Sequence, residues 1–215
     1  MEQPIKIGVA GAGAMGTGIA QVAAMAGHNV VIFDSFETSL GRSKTILDSD
    51  FAKLVSKGKL DEAKATSIRN AITHASSLDE LKGCGMVIEA VVENLEVKKK
   101  LFAELETIVD EHCILATNTS SLPVIAIAAA CKHRSRVVGL HFFNPAAIMP
   151  LVEIIPAFTT EESVYQNAKA LVYSWGKVTV KAKDTPGFIV NRIARPFYGE
   201  AIKIYEEGIA SIADI

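Results

Sequence analysis

No apolar run in the 215-residue chain approaches the ~18–20 residues that span a bilayer, so no membrane partner is expected. A charge excess is missing too: 22 basic and 24 acidic residues leave a formal net charge of −2. Nothing global therefore draws the chain to nucleic acid, and an anionic ligand must be held locally. Cysteine is scarce: Cys84, Cys113 and Cys131 are odd in number, widely spaced and without a CxxC. That argues against a disulfide framework or a zinc site, so no metal is expected. It suits a reducing compartment and makes buried thiols the expectation, with the cytoplasm as the expected location. Met1–Pro4 is too short for a signal sequence ahead of the first strand. The chain has no internal repeat and no low-complexity segment.

What is present is apolar and punctuated. With 49% hydrophobic residues the chain can bury a large core, as one domain or one domain with an appendage. Ile5–Ala10 reads as a buried strand, and Gly11-Ala12-Gly13-Ala14-Met15-Gly16 follows at once. Ile19, Ala20, Val22, Ala23 and Ala26 keep helical spacing until Gly27, and Asn29–Phe33 is a second strand that ends in Asp34. Strand, glycine turn, helix, strand and acid make the full context of a dinucleotide fingerprint. Gly11 permits the tight turn, Gly13 lets the backbone approach a pyrophosphate, and Gly16 allows close packing of helix on strand. The helix start at Ala14 and Met15 offers free N–H donors. Asp34 can accept both ribose hydroxyls and would repel a 2′-phosphate, so NAD is expected rather than NADP.

Two helices follow, one carrying Leu40, Leu47, Phe51, Leu54 and Val55 and one over Asp61–Asn70. Lys53, Lys57 and Lys59 make this excursion locally basic, either as a solvated face or as an anchor for an anionic ligand. Further strands are expected at Ile72–Ala75, Met86–Val91 and Ile114–Thr117, with a charged helix over Leu95–Asp110. On that helix Glu96 and Lys100 are spaced to pair. Ser120 or Ser121 is placed to cap a helix over Pro123–Ala130. After a helix over Thr160–Trp175 and a strand over Lys177–Lys183, Asp184-Thr185-Pro186 reads as the start of a helix over Gly187–Glu207.

The stretch Val137–Glu153, VVGLHFFNPAAIMPLVE, ends an apolar run in His141, turns at Asn144-Pro145, and places Glu153 in a second apolar run. Alone it is either a general base with its orienting carboxylate or a core histidine and an edge glutamate. The whole pattern shifts that balance. Alternating strands and helices with near-continuous apolar strands predict an α/β fold, a Rossmann-like doubly wound, mainly parallel sheet covered on both faces. Ligands bind beyond the carboxyl ends of such strands. Asp34, Glu93, Asn118–Ser121 and His141 all follow apolar strands, so they are expected on one rim.

The stretches GAGAMGTGIAQVAAMAGHNVVIFD, VIEAVVENLEVKKKLF, ATNTSSLPV, GLHFFNP and KDTPGFIVNR resemble the NAD-dependent L-3-hydroxyacyl-CoA dehydrogenase family, including its bacterial 3-hydroxybutyryl-CoA members. The resemblance implies reversible oxidation of an L-3-hydroxyacyl-CoA to its 3-ketoacyl-CoA, as in fatty-acid β-oxidation. It makes His141 the catalytic base and Glu153 its partner, with Ser120 and Asn144 on substrate or nicotinamide and Asn191 beside the histidine. It places Gly11, Gly13, Ala14, Met15, Gly16, Asp34, Glu93, Lys98 and Asn118 at NAD, and Lys57 at coenzyme A. Asp50 departs from the family, standing where members carry a hydroxyl on coenzyme A, and Pro150 replaces a more polar residue.

The resemblance further implies a Rossmann domain over residues 1–185, with 186–215 as the first helix of a truncated C-terminal helical domain. A homodimer is expected of the full-length protein. Two rival readings stand beside it. One is a catalytically silent NAD-binding relative; the other is a dehydrogenase of a free hydroxy acid, which would be indifferent to coenzyme A.

Overall fold

The computed structural model describes residues 5–215, so the reading of Met1–Pro4 lies outside the described residues. The apolar runs pair as one eight-stranded sheet. Its strands are β1 (Lys6–Ala10), β2 (Asn29–Phe33), β3 (Ile72–Ala75), β4 (Met86–Glu89), β5 (Ile114–Thr117), β6 (Val137–Phe142), β7 (Leu151–Pro156) and β8 (Val178–Lys181). They lie side by side in the order β3-β2-β1-β4-β5-β6-β7-β8. The first six are mutually parallel, β7 runs antiparallel to β6, and β8 is parallel to β7. The chain winds outward from β1 to β3, then returns to β4 on the other side of β1. That reversal is the switch point at which ligands bind in open α/β sheets.

Strands apolar on both faces must be covered on both, and two buried clusters do this. On one face Ile7, Val9, Ile32 and Ile88 pack with α1 (Ala14–Met25), α2 (Glu37–Ser56), α3 (Glu62–Asn70) and α6 (Glu162–Ser174). On the other, Val87, Leu115 and Val137 pack with α4 (Leu95–Ile108) and α5 (Val124–Ala128). The last helix, α7 (Val190–Glu206), buries none of its side chains, and Ile193, Phe197 and Ile202 stand exposed along it. None of these helices is long and apolar enough to cross a membrane.

Three local expectations are corrected. Glu96 pairs with Lys99 at 2.9 Å, while Lys100 reaches towards Glu104, because the shorter spacing on the first turn brings Lys99 closer. Neither Ser120 nor Ser121 caps α5. Its first amides, on Val124 and Ile125, donate at 2.9 and 2.8 Å to the carboxylate of Asp184, sixty residues away. Asp184 therefore does not start α7, and Pro186 precedes that helix. Gly187 and Phe188 adopt positive φ (76° and 46°) and turn the chain before α7 begins at Val190.

Candidate active site

The glycine turn is built by contacts that leave no room for side chains. Gly11 has φ 113°, and a Cβ there would lie 2.5 Å from the carbonyl oxygen of Ala90. A Cβ on Gly16 would fall 1.8 Å from the carbonyl oxygen of Gly11, so α1 can approach β1 only without one. Gly13 differs: a Cβ there would meet nothing within 4 Å, and its bare backbone faces open space. Gly13 also precedes α1 without offering a side-chain cap, which leaves the first-turn amides of Ala14 and Met15 for a ligand. Asp34, at the end of β2, accepts from the amides of Ala12 (2.7 Å) and Phe36 (2.9 Å), so the acid and the glycine turn are locked together. Each carboxylate oxygen keeps a further acceptor site for a ribose hydroxyl. The turn, the uncapped helix start and the acid fit the dinucleotide that the sequence implied.

Across the switch point lies a second group. Glu89, the last residue of β4, is fully buried and accepts from Lys98 Nζ (2.6 Å), the Val91 amide (2.7 Å) and Thr117 Oγ1 (2.7 Å). Lys98 is itself enclosed, and its ammonium also lies 3.2 Å from Glu93. Glu93 stands at the rim, where its other oxygen accepts from Thr119 Oγ1 (2.6 Å) and the amides of Ser120 (3.0 Å) and Ser121 (3.2 Å). Partial burial pushes the Glu93 carboxyl up, but the Thr119 hydroxyl, the Lys98 charge and the Ser120 amide outweigh it and hold the group below its ordinary value. Asn118 reaches the other way: its Oδ1 accepts from the Phe142 amide at 2.9 Å and ties the end of β5 to the end of β6.

His141 and Glu153 face each other across the antiparallel β6–β7 pair. Nδ1 of His141 lies 2.7 Å from Oε2 of Glu153, with the imidazole nearly enclosed and the carboxylate wholly so. The other oxygen of Glu153 accepts from the amides of Ile189 (2.9 Å) and Val190 (3.0 Å), at the start of α7. Three donors thus converge on one carboxylate, which places the ring hydrogen on Nδ1 and leaves Nε2 with its lone pair outward. Nε2 makes no hydrogen bond among the described residues, and Phe143 and Phe188 flank the ring with centroids at 4.5 and 5.7 Å. An imidazole with a fixed tautomer, whose second nitrogen has no hydrogen bond among the described residues, can take up or deliver one proton.

The rim brings together most of the residues singled out by sequence. Asn191 donates from Nδ2 to the carbonyl of Ser120 at 3.3 Å, so it joins α7 to the serine loop. Asn144 is exposed in the turn after β6, where the Asn144–Pro145 peptide is cis. Lys57 is exposed at the C-terminal end of α2, and Asp50 pairs with Lys53 at 3.2 Å on the same helix. No hydrogen bond among the described residues joins either to the rim. Sequence reading missed Glu89 and Thr117, put Thr119 on the rim without its Glu93 partner, and took Asp184 for a helix start. It also missed Lys177, whose buried ammonium donates to the carbonyls of Ala146 (2.6 Å) and Met149 (2.9 Å) and pins the turn that carries Asn144. Burial holds the Lys177 amine below its ordinary value. A lysine at a strand end and a glutamate inside an apolar run carry no signal of such partners.

Residues 6–185 match the model of the 3-hydroxyacyl-CoA dehydrogenase NAD-binding domain. The chain belongs to the 3-hydroxyacyl-CoA dehydrogenase family. Residues 187–215 match the C-terminal domain of the same family. The 3-hydroxyadipyl-CoA dehydrogenase of Escherichia coli is 42% identical over 95% of the chain and 43% of its own length. The mitochondrial hydroxyacyl-coenzyme A dehydrogenase of Homo sapiens is 41% identical over 96% of the chain and 68% of its own. The chain thus spans less than half of one relative and about two thirds of the other. Among solved structures, an (S)-3-hydroxybutyryl-CoA dehydrogenase from Ralstonia eutropha superposes with a TM-score of 0.95 at 38% identity, covering 99% of this chain and 75% of that one. The cofactor of a 3-hydroxyacyl-CoA dehydrogenase NAD-binding domain is NAD, which agrees with the turn, helix start and acid described above.

Proposed function

We propose that this chain carries the NAD site and the proton-transfer residues of a 3-hydroxyacyl-CoA dehydrogenase, interconverting an L-3-hydroxyacyl-CoA and its 3-ketoacyl-CoA. The observation that carries this reading is the His141–Glu153 pair at 2.7 Å, set on the same sheet rim as the glycine turn. Gly11, Gly13, Gly16 and the amides of Ala14 and Met15 hold the pyrophosphate, and Asp34 holds the adenosine ribose. Bound NAD supplies the two-electron acceptor. Nε2 of His141 removes the proton from the C3 hydroxyl and returns it in the reverse direction. Glu153 accepts from Nδ1, holds that tautomer and stabilises the imidazolium that forms. Ser120 and Asn144 orient the substrate oxygens, and Asn191 places the Ser120 backbone. Glu93, Lys98 and Asn118 shape the cofactor side of the rim.

Lys57 is the proposed contact for a coenzyme A phosphate. The division at residue 185 into a Rossmann domain and a helical segment, a homodimer and a cytoplasmic location complete the reading. The relatives' names, both for coenzyme A thioesters, support the substrate class. NADH titration combined with reduction of acetoacetyl-CoA beside free acetoacetate tests it. The expected result is NADH binding with reduction of the thioester alone. Equal reduction of the free acid would favour a hydroxy-acid dehydrogenase, and binding without turnover of either would favour a silent NAD-binding protein.

A further inference from the structure

We propose that Glu89 is a positioning residue for cofactor binding, acting from beneath the rim through Lys98 on Glu93 and through Thr117 on the Asn118–Leu122 loop. The inference rests on the reading that Glu93, Asn118 and Ser120 line the NAD and substrate site. A carboxylate enclosed at the end of a central strand is costly unless its lone pairs are used. Its neighbours in register are Ala10 of β1 and Thr117 of β5. Packing alone would favour an apolar residue there, as elsewhere in the same strand. Instead all three partners of Glu89 are donors, and two of them carry its influence outward.

Lys98 carries it first. Its ammonium spans Glu89 at 2.6 Å and Glu93 at 3.2 Å, so one buried cation is shared between a hidden carboxylate and one at the rim. This divides Glu93 between two tasks: Oε2 faces Lys98, while Oε1 gathers Thr119 Oγ1 and the amides of Ser120 and Ser121. Without Glu89 the ammonium has one carboxylate left and is drawn towards it, away from the position that aims Glu93 at the loop. Thr117 carries the influence a second way. Its hydroxyl gives its hydrogen to Glu89 Oε2, which turns a lone pair to the Thr119 amide at 3.2 Å. The loop fixed in this way holds Asn118, whose Oδ1 accepts from the amide of Phe142, the residue after His141. A continuous set of contacts therefore runs from Glu89 to the backbone beside the proton carrier.

The test is NADH titration by cofactor fluorescence, with steady-state reduction of acetoacetyl-CoA and thermal melting, on the wild-type chain and three variants. Glu89→Gln is expected to weaken NADH binding about tenfold, the scale of one hydrogen bond to a charged group, and to raise the NADH KM more than it lowers kcat. Thr117→Val, nearly isosteric and without a buried charge change, is expected to weaken binding about threefold and to lower the melting temperature by a few degrees, since it leaves a lone pair of Glu89 and the Thr119 amide unpaired. Glu89→Gln with Lys98→Met removes both buried charges together. It is expected to melt close to wild type without recovering NADH affinity. A merely structural role predicts the reverse, affinity returning with stability, and that result would overturn the proposal. So would a folded Glu89→Gln or Thr117→Val that binds NADH as wild type does; if Glu89→Gln does not fold, Thr117→Val decides. Failure of the wild-type chain to bind NADH would instead overturn the proposed function, and this inference with it.

Discussion

Glu153 and Glu89 are both fully buried carboxylates in this sheet, one 2.7 Å from an imidazole and the other 2.6 Å from an ammonium. Each also accepts backbone amides, from Ile189 and Val190 in one case and Val91 in the other. The difference lies in what the partner has left over. His141 spends one ring nitrogen on Glu153 and keeps the other free of any hydrogen bond among the described residues. Lys98 is enclosed, with its ammonium held between two carboxylates. Burial of a charged pair therefore does not mark a reacting group by itself. The first arrangement can exchange a proton, and the second can only hold its surroundings still.

The strongest way to break that comparison is Glu153→Gln. The amide keeps the size of the side chain but can donate to Nδ1, which would move the ring hydrogen to Nε2 and block the base. A fall in kcat of about 10²–10⁴ is expected with NADH affinity retained, measured by parallel turnover and titration. Asp184→Ala acts next, at the other tether between the start of α7 and the rim. Loss of the carboxylate that caps Val124 and Ile125 is expected to cost about 1 kcal/mol in urea denaturation, with kcat reduced far less than by Glu153→Gln.

The closed cluster is sharpened by acid. The Glu93 carboxyl is held below its ordinary value in the fold, so its stabilising contribution is complete above the unfolded-state value and is lost as pH falls through the depressed one. Stability attributable to the serine loop is expected to be flat from about pH 6 to about pH 8 and to fall only on the acid side of the usual carboxylate range, followed by amide exchange of Ser120 and Ser121. The smallest effect concerns the three buried thiols. Burial pushes the thiols of Cys84 and Cys131 up to about 11 and that of Cys113 to about 12. All three are expected to react with a thiol reagent at neutral pH only after unfolding, leaving NADH binding unchanged in the treated native chain.

The glycine turn, the order of strands and helices, and His141 were legible because their signals are local. A period of two or 3.6 residues, a glycine at a forced turn and a polar residue at the end of an apolar run all read directly from adjacent positions. The pairing of His141 with Glu153 was legible as well, since a short antiparallel connection brings the two runs together. Glu89 was not. It lies inside the run Met86–Val91, and its side-chain partners are nine and twenty-eight positions away. Asp184 was misread for a related reason: next to Pro186 it has the form of a helix start, whereas its carboxylate serves a helix sixty positions earlier. Long-range satisfaction of a buried or end-of-helix polar group leaves no periodic trace.

The proposed proton transfer depends on His141, and one variant tests it directly. His141→Ala removes the open ring nitrogen but none of the groups assigned to the cofactor, so NADH should bind as it does to wild type while reduction of acetoacetyl-CoA by the bound NADH slows by about 10²–10⁴. A His141→Ala chain that binds NADH and reduces acetoacetyl-CoA at the wild-type rate would contradict the assignment.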